Sequence, residues 1–161
     1  MPDGPPASAV VAVNCLHWID PDLRFTRPHA LLRPGGVMVI AGCKWARPTA
    51  REPFWAQVQE DYRAVGFAGE PPPPAAELGP EHFPPAAAGL FTEVATRRYP
   101  FDVRYSAADH LANLATQSGT HALGEARGAE FLARVRHRLD GLGWPALTRT
   151  FVGYLTLGRR R

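Results

Sequence analysis

The chain has 161 residues, 45% of them hydrophobic and 20% charged, with a net charge of +3. That is enough apolar content for one domain with a core, and it excludes disorder throughout. No apolar run approaches the ~20 residues of a membrane span, and no interleaving of aromatic and basic residues marks a nucleic-acid groove.

Residues 1–9 read as a loop. Residues 1–8 lack the charged start of a secretory leader, so the expected location is cytoplasmic. Val10 to Leu16 reads as the first strand, and His17, Trp18 and Ile19 follow it. Asp20 can cap a helix with Pro21 at its first position. Pro28 falls inside that helix and predicts a kink or an early stop near Arg27. Pro34-Gly35-Gly36 predicts a tight turn, and Val37 to Ala41 a second strand. Both strands read as apolar on both faces, the pattern of a parallel sheet covered by helices. A strand–helix–strand unit of this kind crosses over right-handedly.

A helix starts near Glu52-Pro53, with Phe54, Val58, Tyr62 and Val65 on its apolar face, and ends at Gly66. Residues 69–89 hold Pro71 to Pro74 and Pro84-Pro85, which predicts an unpacked surface connector. Phe91 to Tyr105 contains an alternating strand, and Pro100 puts it at an edge or a break. Ser106 caps a helix carrying Leu111 and Leu114. Glu125 or Glu130 to Leu142 is another, with Phe131, Val135, Leu139 and Leu142 buried. Leu147 to Leu157 is the last strand, expected antiparallel to the one before it at one edge of the sheet. The chain divides into residues 1–68 (strand–helix–strand–helix), the Pro-rich loop 69–89, and residues 90–161 (strands and cap helices), all within one partial domain.

Two cysteines, Cys15 and Cys43, lie near the ends of the first two strands. They read as reduced buried thiols rather than a redox pair. No histidine at ligand spacing supports zinc, so no metal is expected. The tail Arg159-Arg160-Arg161 reads as a solvated terminus, and no nucleic-acid or membrane partner is expected.

The run Asn14-Cys15-Leu16-His17-Trp18-Ile19-Asp20-Pro21, followed by Leu32-Arg33-Pro34-Gly35-Gly36-Val37, resembles class I S-adenosylmethionine-dependent methyltransferases. The resemblance is to the type 11-like group and its trans-aconitate methyltransferase-like branch. Tyr99-Pro100-Phe101, Thr116-Gln117-Ser118 and Thr150 to Leu155 agree with it. It implies an α/β fold: the C-terminal part of a Rossmann-like methyltransferase sheet, with two parallel strands, a crossover helix, then an antiparallel strand pair with inserted helices. It implies S-adenosylmethionine as cofactor and a small-molecule methyl acceptor. The family's order of seven strands is 3-2-1-4-5-7-6, and this chain resembles its last four.

The family's Gly-rich turn, which lets the backbone approach the cofactor, has no counterpart in this sequence. Neither has the acidic residue that holds the ribose. The expectation is therefore a C-terminal half, truncated or clipped in annotation, with impaired cofactor binding. The alternative is a non-catalytic remnant or interaction module. In either case the strand at residues 10–16 lacks its family neighbour, and the chain is expected to pair there with a second copy, to recruit an N-terminal partner chain, or to fold poorly alone.

Ligands of open α/β sheets lie beyond the carboxyl ends of the strands. The resemblance implies Asn14, Cys15, Leu16 and His17 near the cofactor. Cys15 is open between that role and core packing. His17 is open between a general base, whose pKa suits it, and a residue that orients the loop by hydrogen bonding. Trp18 reads as a pocket wall whose ring face suits a sulfonium. Lys44 and Trp45 are candidates to meet an acidic substrate, Lys44 equally a solvated lysine. Ser118, His110 and His121 fall in the cap region where substrate is chosen; helix-end or surface positions are the plainer reading. His29, His82 and His137 show no evident partner.

Overall fold

The computed structural model describes residues 5–48, 53–67, 70–144 and 146–161. Its elements are β1 (Ala7–Val13), α1 (Thr26–Leu31), β2 (Leu32–Ala46), α2 (Pro53–Ala64), β3 (Phe91–Tyr105), α3 (Ala107–Ala115), α4 (Ser118–Ala122), α5 (Glu125–Leu142) and β4 (Leu147–Arg160). Single 3-10 turns occupy Leu16–Trp18, Ala75–Glu77 and Pro85–Ala87. The predicted helix start at Glu52 and the opening Pro2-Asp3-Gly4 lie outside the described residues. Among the described residues no helix is long and apolar enough to cross a membrane.

The four strands form one sheet in the order β1-β2-β4-β3. β1 and β2 are parallel, with Val10 opposite Met38 and Ala12 opposite Ile40, and the other neighbours are antiparallel. This is the expected α/β architecture. β3 ends the sheet, the edge position at which a proline without an N–H is tolerated.

Three local expectations are corrected. β1 runs from Ala7 to Val13 rather than from Val10 to Leu16. Asn14 stops it by turning into the left-handed region at φ 50°, a conformation that asparagine tolerates better than other side chains. The helix foreseen from Pro21 is instead a series of turns, with the Asp20 carboxylate accepting the Asp22 N–H at 2.8 Å. The helix proper begins at Thr26, and Pro28 is its third residue. There the missing N–H has no intrahelical partner to lose, so proline fits near the start of α1 instead of ending a helix.

Pro34-Gly35-Gly36 does not precede the second strand but lies within β2. The pairing jumps from Ala7–Leu32 to Ala9–Val37, so the extra residues of β2 bulge out. Gly35 takes φ 71°. A side chain at Gly36 would meet the backbone oxygens of Arg33 and Ser8 at 2.9 and 3.2 Å.

The chain divides into two compact units. The first holds residues up to Lys44, Leu78–Phe101 and Val152–Arg161. Its core is Leu32, Met38, Ile40, Ala87, Phe91 and Tyr154. β1 buries Ala12 but leaves Val11 60% and Val13 56% exposed. The expectation of apolar cover on both faces therefore fails for β1. Its sequence is apolar but for Ser8, and Val11 and Val13 are nevertheless left outward and uncovered. The loop before β3 is also not the unpacked connector foreseen. Phe83 packs its ring against Phe25 and Phe91, 5.9 and 5.3 Å between centroids. Ala87 is fully buried, and the buried Thr156 hydroxyl donates to the Glu81 carbonyl. Proline content did not keep that segment off the core.

The second unit holds Trp45–Glu77 and Asp102–Phe151. Helical spacing predicts its core well: Phe54, Val58 and Val65, then Leu111 and Leu114, then Phe131, Val135 and Leu139, all in one buried cluster. Ser106 accepts the Asp109 N–H at 3.0 Å and caps α3. Gly143 ends α5 in the left-handed region at φ 63°. Arg138 on α5 donates to both carboxylate oxygens of the buried Asp61 on α2, at 2.6 and 3.0 Å. A two-point pair of this kind fixes the relative register of the two helices.

Candidate functional site

Within the first unit the carboxyl end of β1, Val13, lies opposite Ala41 of β2, which runs on through Gly42, Cys43 and Lys44. Asn14 spans the two strands. Its backbone N–H donates to the Ala41 carbonyl at 3.0 Å, and its Oδ1 accepts the Cys43 N–H at 2.9 Å. Gly42 lies between these bonds. A Cβ there would overlap the Tyr154 hydroxyl, its ring carbon and the Asn14 amide oxygen. Glycine is what lets Tyr154 from β4 close onto the tip.

Tyr154 is 8% exposed. Burial pushes its pKa up to about 12, and the charge and hydrogen bond of Glu81 push the same way, so the phenol stays protonated. Lys44 sits with its ammonium 5.1 Å from the Tyr154 ring centre and 3.3 Å from the Glu81 carboxylate. The result is a chain of paired polar groups, Tyr154–Glu81–Lys44, beside the Asn14–Cys43 bond. Partial desolvation raises the pKa of the Cys43 thiol. Cys15 and Cys43 are both free and exposed, against the expectation of buried thiols.

Beyond Asn14 the chain turns once, through Leu16–Trp18. Arg24 secures the turn by donating to the carbonyls of Ile19, at 2.9 Å, and His17, at 3.4 Å. Leu16 points back to the core, while His17 and Trp18 face outward. Their rings lie 4.9 Å apart at 46°, and Trp18 is 72% exposed. An exposed indole beside an exposed imidazole is open to a ligand, with an apolar face and a proton-accepting nitrogen side by side.

The residues singled out in the sequence thus divide. Asn14, Cys15, Leu16, His17, Trp18 and Lys44 lie in the first unit, Trp45 and Ser118 in the second. Ser118 is the exposed first residue of α4. One face of Trp45 carries the Arg149 guanidinium, 3.1 Å from the ring centre. His110 is not at the surface but 1% exposed, because α3 turns it inward with Leu111 and Leu114. His82 does have a partner, the Glu93 carboxylate at 2.9 Å. Among the described residues no three His, Cys, Asp or Glu side chains gather as a metal site requires.

Sequence reading missed Tyr154 and Glu81. Alternation along β4 puts Tyr154 on the same face as Val152 and Thr156, which marks it as buried but not as part of the tip. No spacing links Glu81 in a loop to either strand. The role of Asn14 gives a direct expectation. Replacing it with alanine removes the bond to Cys43 and strains a positive φ, and should cost about 1–2 kcal/mol. Glycine at the same place, free of that strain, should cost less. Urea unfolding of the two variants measures both, and equal losses would show that the backbone conformation contributes nothing.

No family model matches the chain, and no curated protein matches it. Solved structures do. A protein of Anaeromyxobacter dehalogenans, provisionally named a type II methyltransferase, superposes with a TM-score of 0.57 at 20% identity, over 97% of this chain and 65% of its own. MccD superposes with a TM-score of 0.41 at 15% identity, over 96% of this chain and 60% of its own. A protein of Bacillus halodurans, provisionally named a methyltransferase, gives 0.42 at 12% identity, over 96% and 64%. The last two fits are too loose to carry an argument. The chain spans 65% of the length of the first protein and less of the others. At 20% identity the likeness reaches the fold and no further. With its strand order and its parallel β1–β2 pair, this chain has a methyltransferase-like α/β fold.

Proposed function

We propose that this chain is the C-terminal half of an S-adenosylmethionine-dependent methyltransferase of the trans-aconitate methyltransferase-like branch, acting on a small molecule. The observation that carries the reading is the sheet order β1-β2-β4-β3. It is the order of the family's fourth, fifth, seventh and sixth strands, with β1 in the place of the fourth.

The residues present fit one end of such a cofactor. Trp18 offers an exposed ring face to a sulfonium, and the backbone of residues 14–17 turns beside it. Asn14 has its carbonyl oxygen engaged by Cys43, which leaves its amide NH2 for a ligand. No Gly-rich turn or acidic ribose partner stands in the sequence for the other end. When bound, the cofactor supplies an already activated methyl group. The chain's own part is alignment, exclusion of water and a place for the acceptor's proton. His17 takes that proton in this reading, with Trp18 and Lys44 bordering the acceptor. Lys44 is held by Glu81, so it meets an anionic acceptor only by exchanging partners.

A second reading, a non-catalytic module, draws support from the outward face of β1, where Val11 and Val13 stand exposed at the sheet's end. In both readings β1 is the edge at which a second copy or an N-terminal chain adds a strand. Titration of the isotope-labelled chain with millimolar S-adenosylmethionine separates them. Shifts concentrated at residues 14–18, and lost in the His17→Ala, Trp18→Ala double variant, are expected. Resonances of 14–18 that stay in place leave the module reading and end the enzymatic one.

A further inference from the structure

Arg149 on β4 is 3% exposed in the second unit. A buried guanidinium is costly unless it is paired. The ion pairs among the described residues use Lys44, His82, Arg134 and Arg138, and none uses Arg149. No carboxylate is among the groups that act on its titration, which are the phenols of Tyr62 and Tyr105. Burial brings the Arg149 pKa down to about 10, so the side chain is still a cation at neutral pH.

Its surroundings orient it. Nη1 donates to Asn113 Oδ1 at 3.1 Å, and Gln117 Nε2 donates to the same oxygen at 3.1 Å. The guanidinium carbon lies over the Trp45 ring, 3.1 Å from its centre, with the Phe151 and Trp55 ring centres at 5.6 and 5.9 Å. Because Asn113 takes Nη1, the Nε–Nη2 edge is left without a hydrogen bond among the described residues. Two parallel N–H donors on that edge match the two oxygens of a carboxylate. A second polar group of the same cluster also lacks a partner: His110 Nδ1 is buried and unbonded. Trp45 and Trp55 are only partly buried, so one side of the cluster opens to the surface of the unit.

We propose that this cluster is a receptor for a small aromatic carboxylic acid, with Arg149 binding the carboxylate, Asn113 holding the guanidinium and Trp45 as the aromatic wall. The site is independent of the methyl-transfer reading, since it needs neither cofactor nor catalysis.

The test uses benzoate, with neutral benzamide of the same shape and inorganic phosphate as comparisons, on the intact chain. Binding is read by calorimetry and by tryptophan fluorescence. Benzoate should bind at least about tenfold more tightly than benzamide or phosphate, because only it offers a planar two-oxygen anion on a ring. Arg149→Met should abolish that preference, and Asn113→Ala should weaken benzoate several-fold by freeing the guanidinium. Equal binding of benzoate and benzamide, tighter binding of phosphate, no binding of benzoate, or full binding by a folded Arg149→Met variant would each overturn the proposal. The three-ligand comparison on the unaltered chain decides the matter even where a variant fails to fold.

Discussion

Phe131→Ala should remove about 3–5 kcal/mol of stability, the usual cost of deleting a fully buried aromatic ring and leaving the space open. Phe131 has no exposed surface and stands at the centre of the second unit. Its ring lies 4.7 Å from that of Tyr62 and 6.0 Å from that of Phe67. Val135 and Leu139 continue the same face of α5, and Phe54 and Val58 of α2 share the cluster. A domain of this size has roughly 5–15 kcal/mol in total, so one substitution should consume a large share of it. Phe131→Leu keeps most of the volume and should cost much less. Trp45, Trp55 and Trp144 all lie in the second unit and only Trp18 in the first. Intrinsic fluorescence during urea unfolding therefore reports mainly on the unit in question. A loss below about 1 kcal/mol for Phe131→Ala would mean that the cluster is not packed as described.

That core was legible because it is local. Phe131, Val135 and Leu139 repeat at the helical period, and so do Phe54, Val58 and Val65. Burial of a helix face needs no knowledge of what lies opposite. Ser106 announces its own helix by a side chain that bonds three residues on. Pro100 marks an edge by what it cannot donate. Each is a property of a few neighbouring residues.

What the sequence concealed depends on residues far apart in it. Val11 and Val13 are as apolar as Ala12, and only the neighbour on each side of a strand decides which is covered. Asn14 looks like a ligand residue, but Cys43, at a separation of 29, claims its oxygen. Glu81 joins the tip only because its loop packs against β4. Pro28 misled for a different reason. Its effect on a helix depends on its position, and the helix boundary was five residues later than the cap signal at Asp20-Pro21 implied. The tip of β1, where the resemblance puts the cofactor, carries contacts that hold the fold together. For Asn14 the structure describes such contacts; for His17 and Trp18 it leaves the side chains exposed.

His110 should make the chain acid-sensitive between pH 6.5 and about pH 3. Its ring stands edge-on to Phe54, Trp55 and Tyr105, 5.8, 5.7 and 6.4 Å between centroids. Burial among these rings brings its pKa down to about 3, and the positive charge of Arg149 acts in the same direction. The folded state therefore keeps His110 neutral at pH values where the unfolded chain, with an ordinary pKa near 6.5, has already taken up the proton. Below pH 6.5 the unfolded state binds more protons, so stability falls as pH falls. The decline approaches about 1.4 kcal/mol per pH unit and ends near the folded pKa. Above pH 6.5 the group is neutral in both states and contributes no slope. His110→Leu has a similar volume, removes the unpaired Nδ1 and abolishes the titration. Urea midpoints for both proteins at pH 7, 6, 5 and 4 isolate the term, because carboxylates titrate alike in the two. The difference between them should be flat above pH 6.5 and should widen steadily in favour of the leucine variant as acid is added. Parallel curves over the whole range would mean that His110 is hydrated or protonated in the folded state. That result would also place water, or an anion, beside Arg149.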